Sequence, residues 1–430
     1  MREHTDILIV GGGLVGASLA IALDAAGRSA MLVEAASPRT PAQPSYDERN
    51  LALARATVNA LTNLGVWKHA QGGTPISRLH VSRAGEFGAA RVSAQEVGVD
   101  ALGATLPARE LGNALERRLH ECRHLTRLMP AKLEKLETPG NEDAKSLDPG
   151  VRRDDGQSQG LRPGDGKSGG WRATLRLGDD IREIETKLLV GADGTHSFVR
   201  AQAGIAANEH DYAQSLVVCT ITPERDPDGC AYERFSDEGP VALLPLGGRR
   251  CGLVLTVDSD EAEAVIAMSD DAFAALAQRR FGWKLGRLAR PGKRQAHPVR
   301  RVLAQSLVAP RAVVIGNAAQ TIHPIGAQGF NLGLRDALTL AELIAGADDP
   351  GTSELLRGYA ARRAPDREGV LAFSHGLISL ACLPQAAFAP LRSLALVAFD
   401  SVPPLKRALA RRGMGWRGEA PPMATLERSP

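Results

Sequence analysis

The sequence predicts an α/β protein: a doubly wound, largely parallel sheet, a mostly antiparallel second domain and a helical C-terminal region. Three observations predict it. Residues 5–34 read as strand, small-residue helix and strand, which is a βαβ unit. Two later apolar runs, ending at Val190 and Ile315, pass directly into polar, glycine-bearing turns. Between them, residues 211–301 hold several short β-like runs separated by turns.

The elements follow in chain order. Thr5–Val10 is β-rich, Leu14–Ala26 is a helix ended by Gly27, and Ser29–Glu34 is a second strand. Asn50–Leu64 reads as a helix closed by Gly65. Residues 76–106 look irregular, with strand candidates at Ser77–Ser82 and Ala90–Ser93. Arg109–Cys122 is helical and Leu125–Glu137 extended. Residues 138–170 are rich in Gly, Asp, Ser, Pro and Arg, so they read as a surface insertion. Strands resume at Trp171–Leu177 and Lys187–Val190. Val217–Thr222, Val241–Pro245 and Cys251–Val257 are strands of the second domain, followed by acidic helices at Asp260–Met268 and Asp270–Phe281. Arg311–Ile315 is a strand, Phe330–Ala345 a long helix, and the chain from Thr352 on is mostly helical. The expected domains are 1–75, 107–210 and 302–346; then 76–106 and 211–301; then 347–430.

Composition excludes several classes. With 43% hydrophobic and 23% charged residues, the 430-residue chain has an ordinary globular balance. A net charge of +3 and 4% aromatics give neither a basic footprint nor stacking platforms, so no nucleic-acid partner is expected. Cys122, Cys219, Cys230, Cys251 and Cys382 are scattered without a CxxC pair, which argues against a metal ribbon or a disulfide framework. Single buried thiols fit a reducing cytoplasm. The apolar run Ile7–Val10 is broken at once by glycines, so it does not read as a signal peptide. Gly376–Phe399 is interrupted by Pro384, Pro390 and Arg392 and makes a poor membrane span.

The chemistry lies in three motifs. Gly11-Gly12-Gly13-Leu14-Val15-Gly16 contains GxGxxG between a strand and a helix. Gly11 permits the tight turn, Gly13 lets a pyrophosphate approach, and Gly16 lets helix and strand pack closely. Glu34, ending the second strand, is placed to accept hydrogen bonds from an adenosine ribose. The alternative is a structural glycine turn beside a surface acid. The second motif is Gly191-Ala192-Asp193-Gly194 with Arg200 downstream. The third is Gly316-Asn317-Ala318-Ala319-Gln320, continuing through His323-Pro324 into Gly326-Ala327-Gln328-Gly329-Phe330-Asn331. The first motif alone does not choose between NAD and FAD.

In order and spacing these elements resemble the FAD-dependent aromatic hydroxylases of the para-hydroxybenzoate hydroxylase type. The resemblance spans nearly the whole chain outside 138–170. It looks closest to the ubiquinone-biosynthesis hydroxylases, in particular the 2-octaprenyl-6-methoxyphenyl hydroxylases. The runs that carry this are Asp47-Glu48-Arg49, Leu64-Gly65-Val66-Trp67, Tyr232-Glu233-Arg234-Phe235, Gly239-Pro240, Phe281-Gly282-Trp283 and Gly316 to Pro324.

The resemblance implies a Rossmann-like FAD-binding domain and a set of cofactor contacts. Arg49 and Arg109 would contact FAD near its phosphate and ribityl region, although either also reads as a solvated surface charge. Asp193 would support the pyrophosphate end, or serve only as a turn aspartate. Asn317 stands where most of the wider family has Asp, and keeps an acceptor for the ribitol. Gly326, Gly329 and Asn331 would open a helix whose N-terminus faces the flavin. His323, Pro324 and Gln328 are candidates for the substrate side, and a lone histidine is more often structural.

The implied reaction is reduction of flavin by NAD(P)H and transfer of oxygen from O₂ to a phenol ring through a C4a-hydroperoxide. The chain has no second GxGxxG, which fits a nicotinamide that docks transiently. A polyprenyl phenol substrate suggests contact with a membrane or with a ubiquinone-biosynthesis complex. Leu405, Ala408 and Leu409 share a helical face near Lys406, Arg407, Arg411 and Arg412, which suits such contact or an ordinary basic surface. The expected location is cytoplasmic, at or near the inner face of the membrane. Trp67, Trp171, Trp283 and Trp416 form no Trp-x-Trp, which weakens a halogenase reading. A prenyl reductase and a non-catalytic prenyl-binding escort protein remain as alternatives.

Overall fold

A computed structural model describes residues 2–37, 49–138, 169–381, 389–416 and 421–424. The expected insertion at 138–170, but for its ends, lies outside the described residues, as do Asp47, Glu48 and Cys382.

The predicted βαβ unit forms as β1 (Arg2–Val10), α1 (Leu14–Ala25) and β2 (Ala30–Val33). Helix α1 is buried from Gly16 to Leu23 and has no wide polar stripe, because protein covers it on more than one side.

The expected helix over Asn50–Leu64 is instead β3 (Asn50–Ala54) followed by α2 (Arg55–Asn63). The run Asn-Leu-Ala-Leu-Ala satisfies period two as well as a helical face, and tertiary partners decide between them. Residues 76–106 are more ordered than their composition suggests. They contain β4 (Thr74–Ile76), β5 (Arg78–Arg83), β6 (Ala89–Ser93), α3 (Ala94–Val97) and β7 (Gly103–Pro107). Strand β7 pairs with β3 on one side and β4 on the other in a small sheet of their own, so a local periodicity test misses them.

Next come α4 (Ala108–Leu119), β8 (Leu125–Leu128), β9 (Lys132–Glu137), β10 (Trp171–Leu177), β11 (Asp180–Gly191) and α5 (Phe198–Gln202). Strand β11 starts seven residues earlier than expected from Lys187, because its polar first half is a two-sided ladder between β1 and β10. The second domain adds β12 (Ala207–Pro223), β13 (Cys230–Phe235), β14 (Val241–Leu246), β15 (Arg250–Asp258), α6 (Ala262–Ala267), α7 (Asp270–Phe281), β16 (Leu288–Ala289) and β17 (Gln295–Ala304). The chain ends with β18 (Val308–Ala309), β19 (Ala312–Val314), β20 (Gln320–Thr321), α8 (Gln328–Ala345), α9 (Ser353–Ala381), α10 (Ala389–Ser401) and α11 (Pro403–Gly413).

The first sheet runs β18-β19-β11-β1-β2-β8, with β19, β11, β1, β2 and β8 mutually parallel. The second runs β20-β17-β12-β15-β14-β13-β5-β6 and is antiparallel except where β13 meets β5. One face of the second sheet is covered by α6 and α7, around Val217, Leu243, Leu253 and Phe273. Its other face looks toward the first domain: Gly252 lies against Asn50, and Phe235 packs on Ile325.

The C-terminal helices pack on both domains. Helix α9 packs on α8, α10 on β6, and α11 on α3. Residues 422–424 return to α2, where Asn63 donates to the Met423 carbonyl at 2.8 Å.

Candidate functional site

Val10, Gly191 and Val314 are register partners on the adjacent parallel strands β1, β11 and β19. Gly11, Ala192-Asp193 and Gly316-Asn317 therefore leave the sheet side by side at its carboxyl edge, where open α/β sheets bind ligands. Backbone bonds lock the row. Gly11 N donates to Val33 O at 2.8 Å, Ala192 N to Val10 O at 2.8 Å, and Ile315 N to Gly191 O at 2.9 Å.

The three glycines of the first motif divide their work. Gly11 has φ +103°, and a Cβ there would fall 2.4 Å from the Ala192 carbonyl oxygen. A Cβ on Gly16 would lie 1.9 Å from Gly11 O. A Cβ on Gly13 would meet no described atom within 4 Å. So Gly11 and Gly16 serve the fold, while Gly13 leaves open space in front of a helix start that no side chain caps. Unpaired N–H groups and a positive dipole end facing open space are what a pyrophosphate needs.

The third motif clamps the first. Val15 sits between Gly316 and Gly333, where added Cβ atoms would come within 3.0 and 2.8 Å of its Cγ2. The sequence signal was present as two glycines, but nothing in it named Val15 as their partner.

Glu34 braces the glycine turn: Oε2 accepts from Gly12 N at 2.6 Å and Oε1 from Ala36 N at 2.8 Å. Asp193 turns toward α5, accepting from the Ser197 hydroxyl and from Val199 N at 3.0 Å. Its side chain thus holds the turn, and any support it lends a cofactor passes through the backbone it fixes. Buried Arg200 donates to the Ala318 carbonyl at 2.8 Å, tying the second motif to the third. Asn317 is exposed at the sheet edge. Arg49 and Arg109, 60 residues apart in sequence, become neighbours because Ala108 N donates to Arg49 O at 2.8 Å; both are exposed.

The loop before α8 bends at Gly326 (φ +70°) and Ala327 (φ +49°), and no side chain caps the helix it opens. Gly329 faces open space. Gln328 donates to Gly326 O at 3.0 Å, while its Oε1 is buried without a partner among the described residues. Asn331 accepts from Ala54 N at 2.9 Å and donates to Ala52 O at 3.0 Å and Ala327 O at 2.7 Å. Its amide is therefore spent joining β3 to the loop.

His323 is buried edge-on to Tyr212, 4.9 Å between ring centres, and Pro324 beside it is half-buried. Its Nδ1 accepts from Ile325 N at 3.2 Å. Burial lowers its pKa to about 4, so the imidazole is neutral near pH 7 and shapes the turn.

Beneath the third motif lies a network that sequence reasoning did not find. Asp336 Oδ2 accepts from Gly316 N at 3.2 Å and Gln320 Nε2 at 2.6 Å. Its Oδ1 accepts from Arg363 Nε at 2.7 Å. Charged residues inside helices read as surface positions, and nothing local marks these as buried.

Two uncapped helix starts, an exposed Asn317 amide and a Gln328 oxygen buried without a partner among the described residues gather near one sheet edge beneath a second β domain. That arrangement fits FAD and defines a two-domain flavoprotein oxidoreductase. The chain belongs to the FAD binding domain family, which matches residues 4–374. It is an FAD-dependent monooxygenase, with NAD(P)H as the transient co-substrate of the family.

It is 35% identical over 419 residues to the ubiquinone hydroxylase UbiL of Rhodospirillum rubrum, covering 95% of this chain and 89% of that one. It is 30% identical over 427 residues to the 3-demethoxyubiquinol 3-hydroxylase of Escherichia coli, covering 96% and 99%. Among solved structures, p-nitrophenol 4-monooxygenase PnpA of Pseudomonas putida superposes with a TM-score of 0.73 at 17% identity, covering 97% and 99%. PqsL of Pseudomonas aeruginosa gives 0.71 at 20% identity, covering 92% and 100%. These two likenesses show the fold. The relatives support the ubiquinone hydroxylases as a group, and the 2-octaprenyl-6-methoxyphenyl type is a finer assignment than they carry.

Proposed function

We propose that this enzyme hydroxylates the aromatic ring of a polyprenylated phenol in ubiquinone biosynthesis, using NAD(P)H and O₂. The observation that carries the reading is whole-length likeness to ubiquinone hydroxylases, combined with an undamaged flavin edge.

FAD, when bound, supplies the electron transfer from NAD(P)H to O₂ and the delivery of one oxygen atom to the ring. The chain's own residues bind and orient. The open space at Gly13 and the start of α1 receive the pyrophosphate. Glu34 stands ready for the adenosine ribose, Asn317 for the ribityl chain, and Arg49 with Arg109 for the phosphate and ribityl region. The uncapped start of α8 at Gly326–Asn331 stabilises negative charge on the flavin ring. Val81, Phe235 and Ile325 form an apolar wall that keeps water away.

A polyprenyl substrate dissolves in the bilayer, and the surface suits an enzyme that meets it there. Phe87, Leu394, Val397, Val402, Leu405 and Leu409 are exposed on or beside α10 and α11. Helix α11 exposes Arg407, Arg411 and Arg412 and carries no acidic residue, while its Lys406 is buried against Glu96 and Asp400. Apolar side chains among arginines favour an anionic membrane surface. No described helix is long and apolar enough to cross a membrane.

The test is deletion of the gene, followed by identification of what accumulates. A prenylated phenol lacking one hydroxyl, with quinone restored by the intact gene, supports the reading. Normal quinone with a different aromatic compound accumulating would sink it.

A further inference from the structure

Strand β13 alternates between the two faces of the second sheet. Tyr232 points to the helical side, edge-on to Phe281 with ring centres 5.6 Å apart. Phe235 points the other way, packing on Val81 and on Ile325 beside the flavin loop. Glu233 shares the face of Phe235. Its register partners are Val81 on β5 and Ala242 on β14, and Ala242 is paired in turn with Val254 on β15. This is the face that lies over Asn50 and the flavin-side loop.

Glu233 makes no hydrogen bond or ion pair with the described residues, and burial alone raises its pKa, to about 7. The residue is only half-buried, so it is not packed shut. Its cross-strand neighbours are apolar, Ala242 on β14 and Val81 on β5, and Val81 joins Phe235 and Ile325 in an apolar cluster on the same face. Arg83, one step along the face, is held by Glu86 and Asp237. His80, Arg91, Arg234 and Lys284 form a separate cluster around Tyr232 on the opposite side. An unpartnered carboxylate in an apolar wall costs stability, and a residue serving only the fold would not keep that cost.

We propose that Glu233 is the specificity-determining acceptor for the substrate's ring hydroxyl, fixing which ring carbon is turned toward the flavin. The proposal rests on the phenol reading above. A phenolic O–H donating to this carboxylate satisfies both groups, and the apolar wall takes the ring faces. No bond need break. The hydroxyl hydrogen is shared with the carboxylate, and the ring is held in one orientation.

The test uses the FAD-loaded enzyme and two probes: 2-(3-methylbut-2-enyl)phenol and its O-methyl ether, which lacks the donor hydrogen. Each is titrated by its perturbation of flavin absorbance. Wild type is expected to bind the phenol about tenfold or more tighter than the ether, the scale of a hydrogen bond to a charged group. Glu233→Leu should fold at least as well and lose that discrimination. Glu233→Gln keeps an acceptor oxygen, so it should retain part of it while losing any pH dependence of phenol affinity near pH 7. A Glu233→Leu enzyme that discriminates as wild type does overturns the proposal. So does a wild type that hydroxylates phenols yet binds both probes equally, and in that case the phenol reading stands. A wild type that neither binds nor hydroxylates any phenol overturns both.

Discussion

Arg363 on α9 donates to Asp336 on α8 at 2.7 Å, and neither side chain is more than 4% exposed. Because Asp336 also holds the Gly316 amide, this helix-to-helix pair fixes a strand-end turn of the flavin edge. Removing one partner of a buried pair strands the other charge, at a cost of about 3–5 kcal/mol. Arg363→Met should therefore lower the unfolding free energy by about 3 kcal/mol and weaken FAD retention. Urea denaturation with and without FAD measures both, and an Arg363→Met protein as stable as the parent would refute the assignment. Asp366 shares the same network. Burial alone would raise its carboxyl, but Arg335 and Arg363 together hold it below the ordinary value of 3.8. Its contribution is thus present above that value and lost as pH falls through the depressed native one.

Gly13 and Gly16 belong to one motif but should fail in different ways. A methyl on Gly16 would collide with the Gly11 carbonyl, so Gly16→Ala should destabilise the protein even without flavin. A methyl on Gly13 meets no described protein atom within 4 Å, so Gly13→Ala should leave the apoprotein's melting temperature within about 1 °C while weakening FAD binding about tenfold or more. Thermal melts of the apoprotein and FAD titration by fluorescence separate the two. Equal loss of apoprotein stability in both variants would show that Gly13 serves only the fold.

The parts of this site that were legible in the sequence are those written as local pattern. GxGxxG between a strand and a helix, and polar turns after apolar strands, gave the three motifs because each depends on neighbours in the chain. What stayed hidden depends on partners far away. Strand β3 reads locally as a helix because its ladder partner, β7, lies some fifty residues later, and its other anchor is Asn331. The motif spacing places Asn331 at the cofactor, yet its hydrogen bonds among the described residues go to backbone, which motif spacing does not reveal. Glu233 sat inside a run used only for its family resemblance, and its solitude became visible only once both neighbouring strands were in place.

Asn317 tests whether an amide does the work that a carboxylate does in most of the wider family. It is exposed, so Asn317→Ala should leave stability nearly unchanged, within about 0.5 kcal/mol. FAD affinity should fall about fivefold to tenfold, the worth of one hydrogen bond. Asn317→Asp keeps the acceptor oxygen and should bind FAD within about threefold of wild type. An alanine variant that holds FAD as tightly as the parent would remove Asn317 from the cofactor site.

The apolar strip on α10 and α11 should be measurable with lipid alone. Vesicles containing anionic phosphatidylglycerol should retain the enzyme, and neutral phosphatidylcholine vesicles should retain much less, because each surface arginine adds about 1 kcal/mol. Leu405→Glu with Leu409→Glu should reduce sedimentation with anionic vesicles about tenfold while sparing flavin absorbance. Equal partition of the parent into both vesicle types would point away from a membrane and toward a protein partner at this face.

Glu233 also makes a prediction about stability that needs no substrate. Its native pKa of about 7 lies above the ordinary 4.5, so folding favours the protonated acid. The favourable contribution is complete below 4.5 and is lost as pH rises through 7. In the wild type this adds a decline in stability across that window. Glu233→Gln and Glu233→Leu have no proton to lose there and should lack that part of the decline. At pH 8 both should melt about 1–3 °C above wild type, with the difference closing toward pH 4.5. Melts of the FAD-loaded proteins at matched ionic strength measure it. A wild type and Glu233→Gln that stay parallel from pH 4.5 to 8 would mean that the carboxylate is ionised throughout, and solvated in a way its apolar neighbours do not provide.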